Sequence, residues 1–216
     1  MTYKPLFVIN FKTYEHSFGA QGIALARAIE EAGKIKGIIP IICVPATEIR
    51  AISQAVKIPV YAQHVDSVEP GAHTGWLSAK MLKDAGATGT LINHSEHRVE
   101  DLERAVHLAK QAGLSVIVCA RDEMEVRVYR NLPADFLAVE PPELIGGEIS
   151  VSTAHPEIIT RSAKHCPDRL LVGAGVHTHE DVAVAAKLGA RGVLLASGVD
   201  KATNPTEVCL QLFSGW

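Results

Sequence analysis

Phe136-Leu137-Ala138-Val139-Glu140-Pro141-Pro142 is a short apolar run that ends on a carboxylate and is stopped by two prolines. A run without polar alternation reads as a strand buried on both faces, which is how strands of a helix-covered parallel sheet are built. Glu140 then emerges at the carboxyl end of that strand, beside an apolar wall. Burial disfavours the charged form and raises proton affinity, as a base that takes a proton from carbon requires. Taken alone, the residue is more simply a strand-ending glutamate in a solvated turn, and the rest of the chain has to decide between the two readings.

Working outward, similar runs recur at Leu6 to Ile9, Ile38 to Val44, Val60 to Ala62, Thr90 to Ile92, Ser115 to Cys119, Leu170 to Val172 and Val193 to Leu195, which makes eight candidate strands. The segments between them carry helical spacing. Val99, Leu102, Val106 and Ala109 share one face, Gly22 to Ala32 is expected to be a helix capped by Gly33, and Thr178-His179-Glu180-Asp181 opens another with carboxylates where the helix dipole favours them. Strands alternating with helices require parallel strands and right-handed crossovers, so the fold class is α/β. Eight units favour a closed (β/α)8 barrel in a single domain over residues 1–216. Such barrels typically take ~250 residues, so this one is expected to have short helices. An open doubly wound sheet is disfavoured because no G-x-G-x-x-G follows the first strand.

Composition narrows the partners. The chain has 216 residues, 47% hydrophobic and 21% charged, with a formal net charge of −3. This gives no broad basic field for nucleic acid or an anionic membrane, and an anionic small molecule needs a local positive site. Cys43, Cys119, Cys166 and Cys209 form no C-x-x-C pair, so no zinc ribbon or redox motif is expected. Met1-Thr2-Tyr3-Lys4-Pro5 leads into a run too short for a signal peptide, and no stretch approaches a membrane span, so a cytoplasmic location is expected.

In a barrel, function sits at the carboxyl ends of the strands. Asn10-Phe11-Lys12 follows the first strand, His94-Ser95-Glu96 the fourth and Glu140 the sixth. Together they offer a base, an electrophile or acid, a fixed cation and an amide donor. That set suits deprotonation next to a carbonyl, with Lys12, Asn10 and His94 facing the oxyanion. Each residue alone has an ordinary reading as a turn or structural residue. Gly173-Ala174-Gly175 and Ala196-Ser197-Gly198, after the seventh and eighth strands, are small enough to let backbone N–H groups approach a phosphate, or else form tight turns only. Pro141-Pro142-Glu143-Leu144-Ile145-Gly146-Gly147-Glu148 has the composition of a lid that swings as a unit.

These residues resemble the triosephosphate isomerase family over essentially the whole chain. Asn10-Phe11-Lys12 is similar to its N-x-K signature, Asn93-His94-Ser95-Glu96-His97-Arg98 to its His-Ser-Glu segment, and Val139-Glu140-Pro141 to the strand that carries the catalytic glutamate and opens the mobile loop. Gly71-Ala72-His73-Thr74-Gly75 is similar to its dimer loop. The compact length and the Leu-Leu-Ala-Ser-Gly ending look like the short archaeal members. The chain departs from the usual pattern at Gly147-Glu148 in the lid and at Ala196-Ser197 after the eighth strand.

The resemblance implies that Glu140 is the base interconverting dihydroxyacetone phosphate and D-glyceraldehyde 3-phosphate, in glycolysis and gluconeogenesis. It also implies a neutral His94 at a helix N-terminus, Lys12 supplying positive charge, and Asn10 holding the site. Glu96 would buttress Lys12, and Ser95 would hold Glu140 while the lid is open. Phosphate would be gripped near Ile145, Gly146, Gly175, Ala196 and Ser197. Thr74 would enter a neighbouring subunit, giving a homodimer or homotetramer, and neither cofactor nor metal is called for. The competing readings are a Schiff-base aldolase through Lys12, a metal-dependent epimerase using His64 with Asp66 or His177 with His179, and a barrel that only binds phosphorylated metabolites.

Overall fold

In the computed structural model, which describes residues 4–147 and 150–216, the apolar runs form eight strands. They are β1 (Leu6–Asn10), β2 (Ile41–Val44), β3 (Val60–Ala62), β4 (Gly89–Ile92), β5 (Ser115–Ala120), β6 (Phe136–Val139), β7 (Leu170–Val172) and β8 (Gly192–Leu195). Each pairs in parallel with the next, and β8 returns to β1, closing the barrel. The helices between them are α1 (Gly19–Lys36), α2 (Ile49–Ala55), α3 (Ala79–Asp84), α4 (Leu102–Gln111), α5 (Glu123–Tyr129), α6 (Val151–Ala154), α7 (Pro156–His165), α8 (His179–Lys187), α9 (Ser197–Asp200) and α10 (Pro205–Phe213). Glu148 of the expected lid and Met1-Thr2-Tyr3 lie outside the described residues.

The period of two along each strand divides the core into two layers. Val8, Ile41, Cys43, Tyr61, Leu91, Ile117, Cys119, Ala138, Leu171 and Leu194 fill the barrel interior as one buried cluster. Their strand neighbours, among them Phe7, Ile9, Ile42, Val116, Leu137 and Val193, face outward into the helix layer. Several helices start where a side chain takes an orphan N–H: Ser78 caps α3, Asp101 α4, Asp122 α5 and Asn204 α10. At α8, Thr178 and Asp181 close a reciprocal capping box.

Three local expectations are corrected. The second strand begins at Ile41 and not at Ile38, because Pro40 has no N–H for the ladder, and Ile39 is left exposed. Gly33 is not the cap of α1. It lies inside the helix, where a Cβ would come within 2.7 Å of the Ile38 carbonyl oxygen and Pro40 Cδ. Gly37, at φ 68°, supplies the left-handed cap instead. Val99 precedes α4, whose buried face is Ala105, Val106 and Ala109.

Candidate active site

The same alternation sets which residues look into the barrel mouth. Two positions beyond the interior residues Val8, Ala138, Leu171 and Leu194 stand Asn10, Glu140, Gly173 and Ala196. Asn10 and Glu140 are buried and face one cleft at the barrel mouth. That cleft is also lined by Lys12, His94, Ile145, Gly146, Gly175 and Ser197, so the residues expected to act on substrate and those expected to hold phosphate share one wall-to-wall space.

The Glu140 carboxylate fits because β7 presents no side chain opposite it. A Cβ on Gly173 would stand 2.5 Å from Glu140 Oε1 and 2.6 Å from its Cγ. The backbone is held on both sides, with Glu140 N–H donating to the Ala120 carbonyl and Gly173 N–H to the Val139 carbonyl. Oε2 is buried without a hydrogen-bond partner and lies 3.6 Å from His94 Nε2. Beneath it, burial pushes the thiols of Cys43 and Cys119 well above their usual range, and the Glu140 charge adds to the effect. All four cysteines are free and buried. The floor of the site is therefore neutral.

His94 reaches Glu140 through a break in the strand pattern. Asn93 takes a left-handed φ of 67°, its side-chain amide donates to the Cys119 carbonyl at 3.2 Å, and the chain turns so that the next ring enters the mouth. The helix N-terminus expected at His94 is a single tight turn, closed by His97 N–H on the His94 carbonyl. Glu96 N–H donates to His94 Nδ1 at 3.2 Å. A nitrogen that accepts an N–H holds no proton, so a neutral ring carries its hydrogen on Nε2, the edge turned toward Glu140.

Lys12 also sits in the left-handed region, at φ 50°, with its N–H bound by Asn10 Oδ1 at 3.0 Å. Its ammonium is paired with Glu96 at 2.7 Å. Gln63 straps the loop from β3, donating to the Lys12 carbonyl at 2.9 Å and to the Cys43 carbonyl at 3.2 Å. Gln63 does not stand out in the sequence, and the sequence marks His177, which lines the cleft, only as a candidate metal ligand with His179. Ser95 makes no hydrogen bond to Glu140, and Thr74 lies exposed on the loop after β3, away from the cleft lining.

At the end expected to hold phosphate, Gly146, Ala174 and Gly175 have φ of 75°, 73° and 69°, so three left-handed residues ring the approach to α9. Asp200 closes α9. It is buried, neither carboxylate oxygen has a partner, and desolvation pushes it up to about 8, against the pull of Lys12. Of the pairs suggested for metal binding, His64 and Asp66 are brought together, whereas His177 and His179 are engaged separately. His64 Nε2 lies 3.2 Å from Asp66 and its ring stacks on His97, His177 contacts Gly147, and His179 lies 3.0 Å from Glu180.

Residues 5–212 match the family model described as triosephosphate isomerase. The chain is 43% identical over 214 residues to the triosephosphate isomerase of Methanocaldococcus jannaschii, covering 96% of this chain and 98% of that protein. It is 44% identical over 210 residues to that of Saccharolobus solfataricus, covering 94% and 92%. Among solved structures, triosephosphate isomerase from Bartonella henselae superposes with a TM-score of 0.73 at 21% identity, over 96% of this chain and 98% of that one, a likeness of fold.

Proposed function

Because the chain belongs to the triosephosphate isomerase family, we propose that its barrel mouth interconverts dihydroxyacetone phosphate and D-glyceraldehyde 3-phosphate through an enediolate, a step of glycolysis and gluconeogenesis. The observation that carries this reading is the facing pair of Glu140 and His94, a buried carboxylate with a free oxygen 3.6 Å from the N–H edge of an imidazole.

Glu140 takes a proton from the carbon beside the substrate carbonyl and returns it to the neighbouring carbon. His94 Nε2–H polarises the carbonyl oxygen as charge develops there, and exchanges protons with the enediolate oxygens. Lys12, anchored by Glu96, offsets the negative charge of enediolate and phosphate, while Asn10 fixes the Lys12 loop. Ser95 takes the Glu140 carboxylate when the lid lifts. Backbone N–H groups around Ile145, Gly146, Gly175, Ala196 and Ser197 hold the phosphate. A coupled assay that converts glyceraldehyde 3-phosphate to dihydroxyacetone phosphate tests the reading, and absence of turnover overturns it.

Gly173→Ala isolates the geometry of the base. Gly173 does not have a positive φ, so the backbone accepts alanine, and the three atoms nearest the new methyl group all belong to the Glu140 side chain. Displacing the carboxylate by about 1 Å is expected to lower kcat about a hundredfold, with the melting temperature little changed. Wild-type kcat in this variant would mean that the position of Glu140 is not limiting.

A hollow beside Lys12, bounded by Pro45, His64, Leu77 and His97, is open to solvent in the single chain. We place the Thr74 loop of a second copy there, in a homodimer or in a homotetramer built from dimers. Thr74→Arg is then expected to shift the sedimentation coefficient to that of a monomer. No helix among the described residues is long and apolar enough to cross a membrane, and the proposed location is the cytoplasm, where cell fractionation should recover the activity.

A further inference from the structure

The turn of α9 holds mostly to itself. Among the described residues, the hydrogen bonds of residues 196–202 run within the segment: Val199 and Asp200 N–H donate to the Ala196 carbonyl, Lys201 N–H to Ser197 and Ala202 N–H to Val199. Outward, the segment is held by the burial of Val199 and Asp200 and by one charge–ring contact, in which the Lys201 ammonium lies 4.7 Å from the centre of the Tyr14 ring. Tyr14 stands on a rigid base. Its carbonyl accepts the Ser17 N–H at 2.9 Å, the buried Ser17 hydroxyl donates to the Phe11 carbonyl, and Phe11 N–H donates to the Cys43 carbonyl on β2. The same loop carries Lys12, whose carbonyl is strapped by Gln63. Tyr14 also lines the cleft together with Lys12, Ala196 and Ser197. One ring thus bridges the loop of the Lys12 cation and the segment that ends in α9.

We propose that Tyr14 is a positioning residue that, through Lys201, holds α9 and the residues leading into it at a fixed reach from Lys12. The attraction is that of a cation for the face of an aromatic ring, so it needs the ring and not the hydroxyl. The effect on turnover rests on the isomerase reading, whereas the contact itself does not. With Ala196 and Ser197 on the phosphate, a slack α9 lowers the fraction of molecules in which both ends of the cleft fit one substrate, and apparent affinity falls by that fraction. KM therefore rises, and kcat for the bound complex stays almost intact. A general loss of folded protein would lower kcat without moving KM.

Tyr14→Leu is expected to raise KM for glyceraldehyde 3-phosphate, and the Kd of inorganic phosphate measured by calorimetry, each about 2- to 5-fold, the effect of one exposed cation–π contact, with kcat within about twofold. Tyr14→Phe, which keeps the ring face, should return both quantities to wild-type values. Lys201→Met should raise both as well. Combining Tyr14→Leu with Lys201→Met should be no worse than the worse single variant, because the two residues share one contact. Wild-type KM and Kd in the leucine variant would overturn the strut, as would a phenylalanine variant that folds and behaves like leucine, or single effects that multiply in the double variant. Absence of turnover in the wild type, with a phosphate Kd that leucine weakens and phenylalanine restores, would overturn the isomerase reading and leave the strut standing.

Discussion

Replacing Glu140 by glutamine is expected to lower kcat for triose phosphate isomerisation by about a thousandfold or more, near the upper end of what a positioned base contributes. Glutamine has the shape of glutamate and cannot accept the proton, so the chemistry is removed while the packing stays. The variant should fold at least as well as the wild type. It exchanges a buried carboxylate with an unpartnered Oε2 for a neutral amide, which is cheaper to desolvate. Steady-state kinetics beside a thermal melt checks both halves. A kcat within tenfold of the wild type, in protein with an unchanged melt, would remove Glu140 from the proposed mechanism. Asp at the same place keeps the charge and withdraws it by one methylene, and is expected to lose about a hundredfold through geometry alone.

The second large effect concerns stability. Asp200 is buried without a hydrogen-bond partner, and its carboxyl is pushed from 3.8 to about 8. Between those two values the folded protein keeps a proton that the unfolded chain gives up, so raising the pH favours unfolding. The cost is absent below pH 4, accumulates through the neutral range and is complete above pH 8, where it reaches up to ~6 kcal/mol. Asp200→Asn is therefore expected to match the wild type near pH 4 and to exceed it by several kcal/mol at pH 8. Urea unfolding across this range measures the difference. Parallel curves for the two proteins would show that Asp200 finds a partner or water when charged. Because α9 carries the proposed phosphate loop, the same titration places a carboxylate charge at the far end of that helix in alkaline solution.

Much of the site could be read from strand arithmetic. A buried run, an interior residue at Ala138 and a period of two suffice to put Glu140 over the barrel, and the same count places Asn10 above Val8. The alternation of runs also gave the closed barrel. The count fails at β4, where Leu91 faces inward and His94 is an odd number of positions further on. Only the left-handed turn at Asn93, fixed by its bond to the Cys119 carbonyl, brings the imidazole to Glu140, and no local pattern announces that conformation. Gly33 misled for a related reason. A glycine needed for close approach of a neighbouring segment and a glycine needed for a positive φ look the same in sequence, and Gly33 is the first kind while Gly37 is the second. Gln63 and His177 act through contacts with segments distant in the chain, which residue spacing does not encode.

The empty position at Gly173 has a consequence for how such a site can be inherited. Glu140 and Gly173 stand on adjacent strands and share one volume: the carboxylate occupies the space that any side chain on β7 would claim. The length of the acid and the bareness of the neighbouring strand are thus a single trait written at two loci. A lineage could shorten the acid first and fill the gap afterwards, but the reverse order passes through a form in which the carboxylate has nowhere to stand.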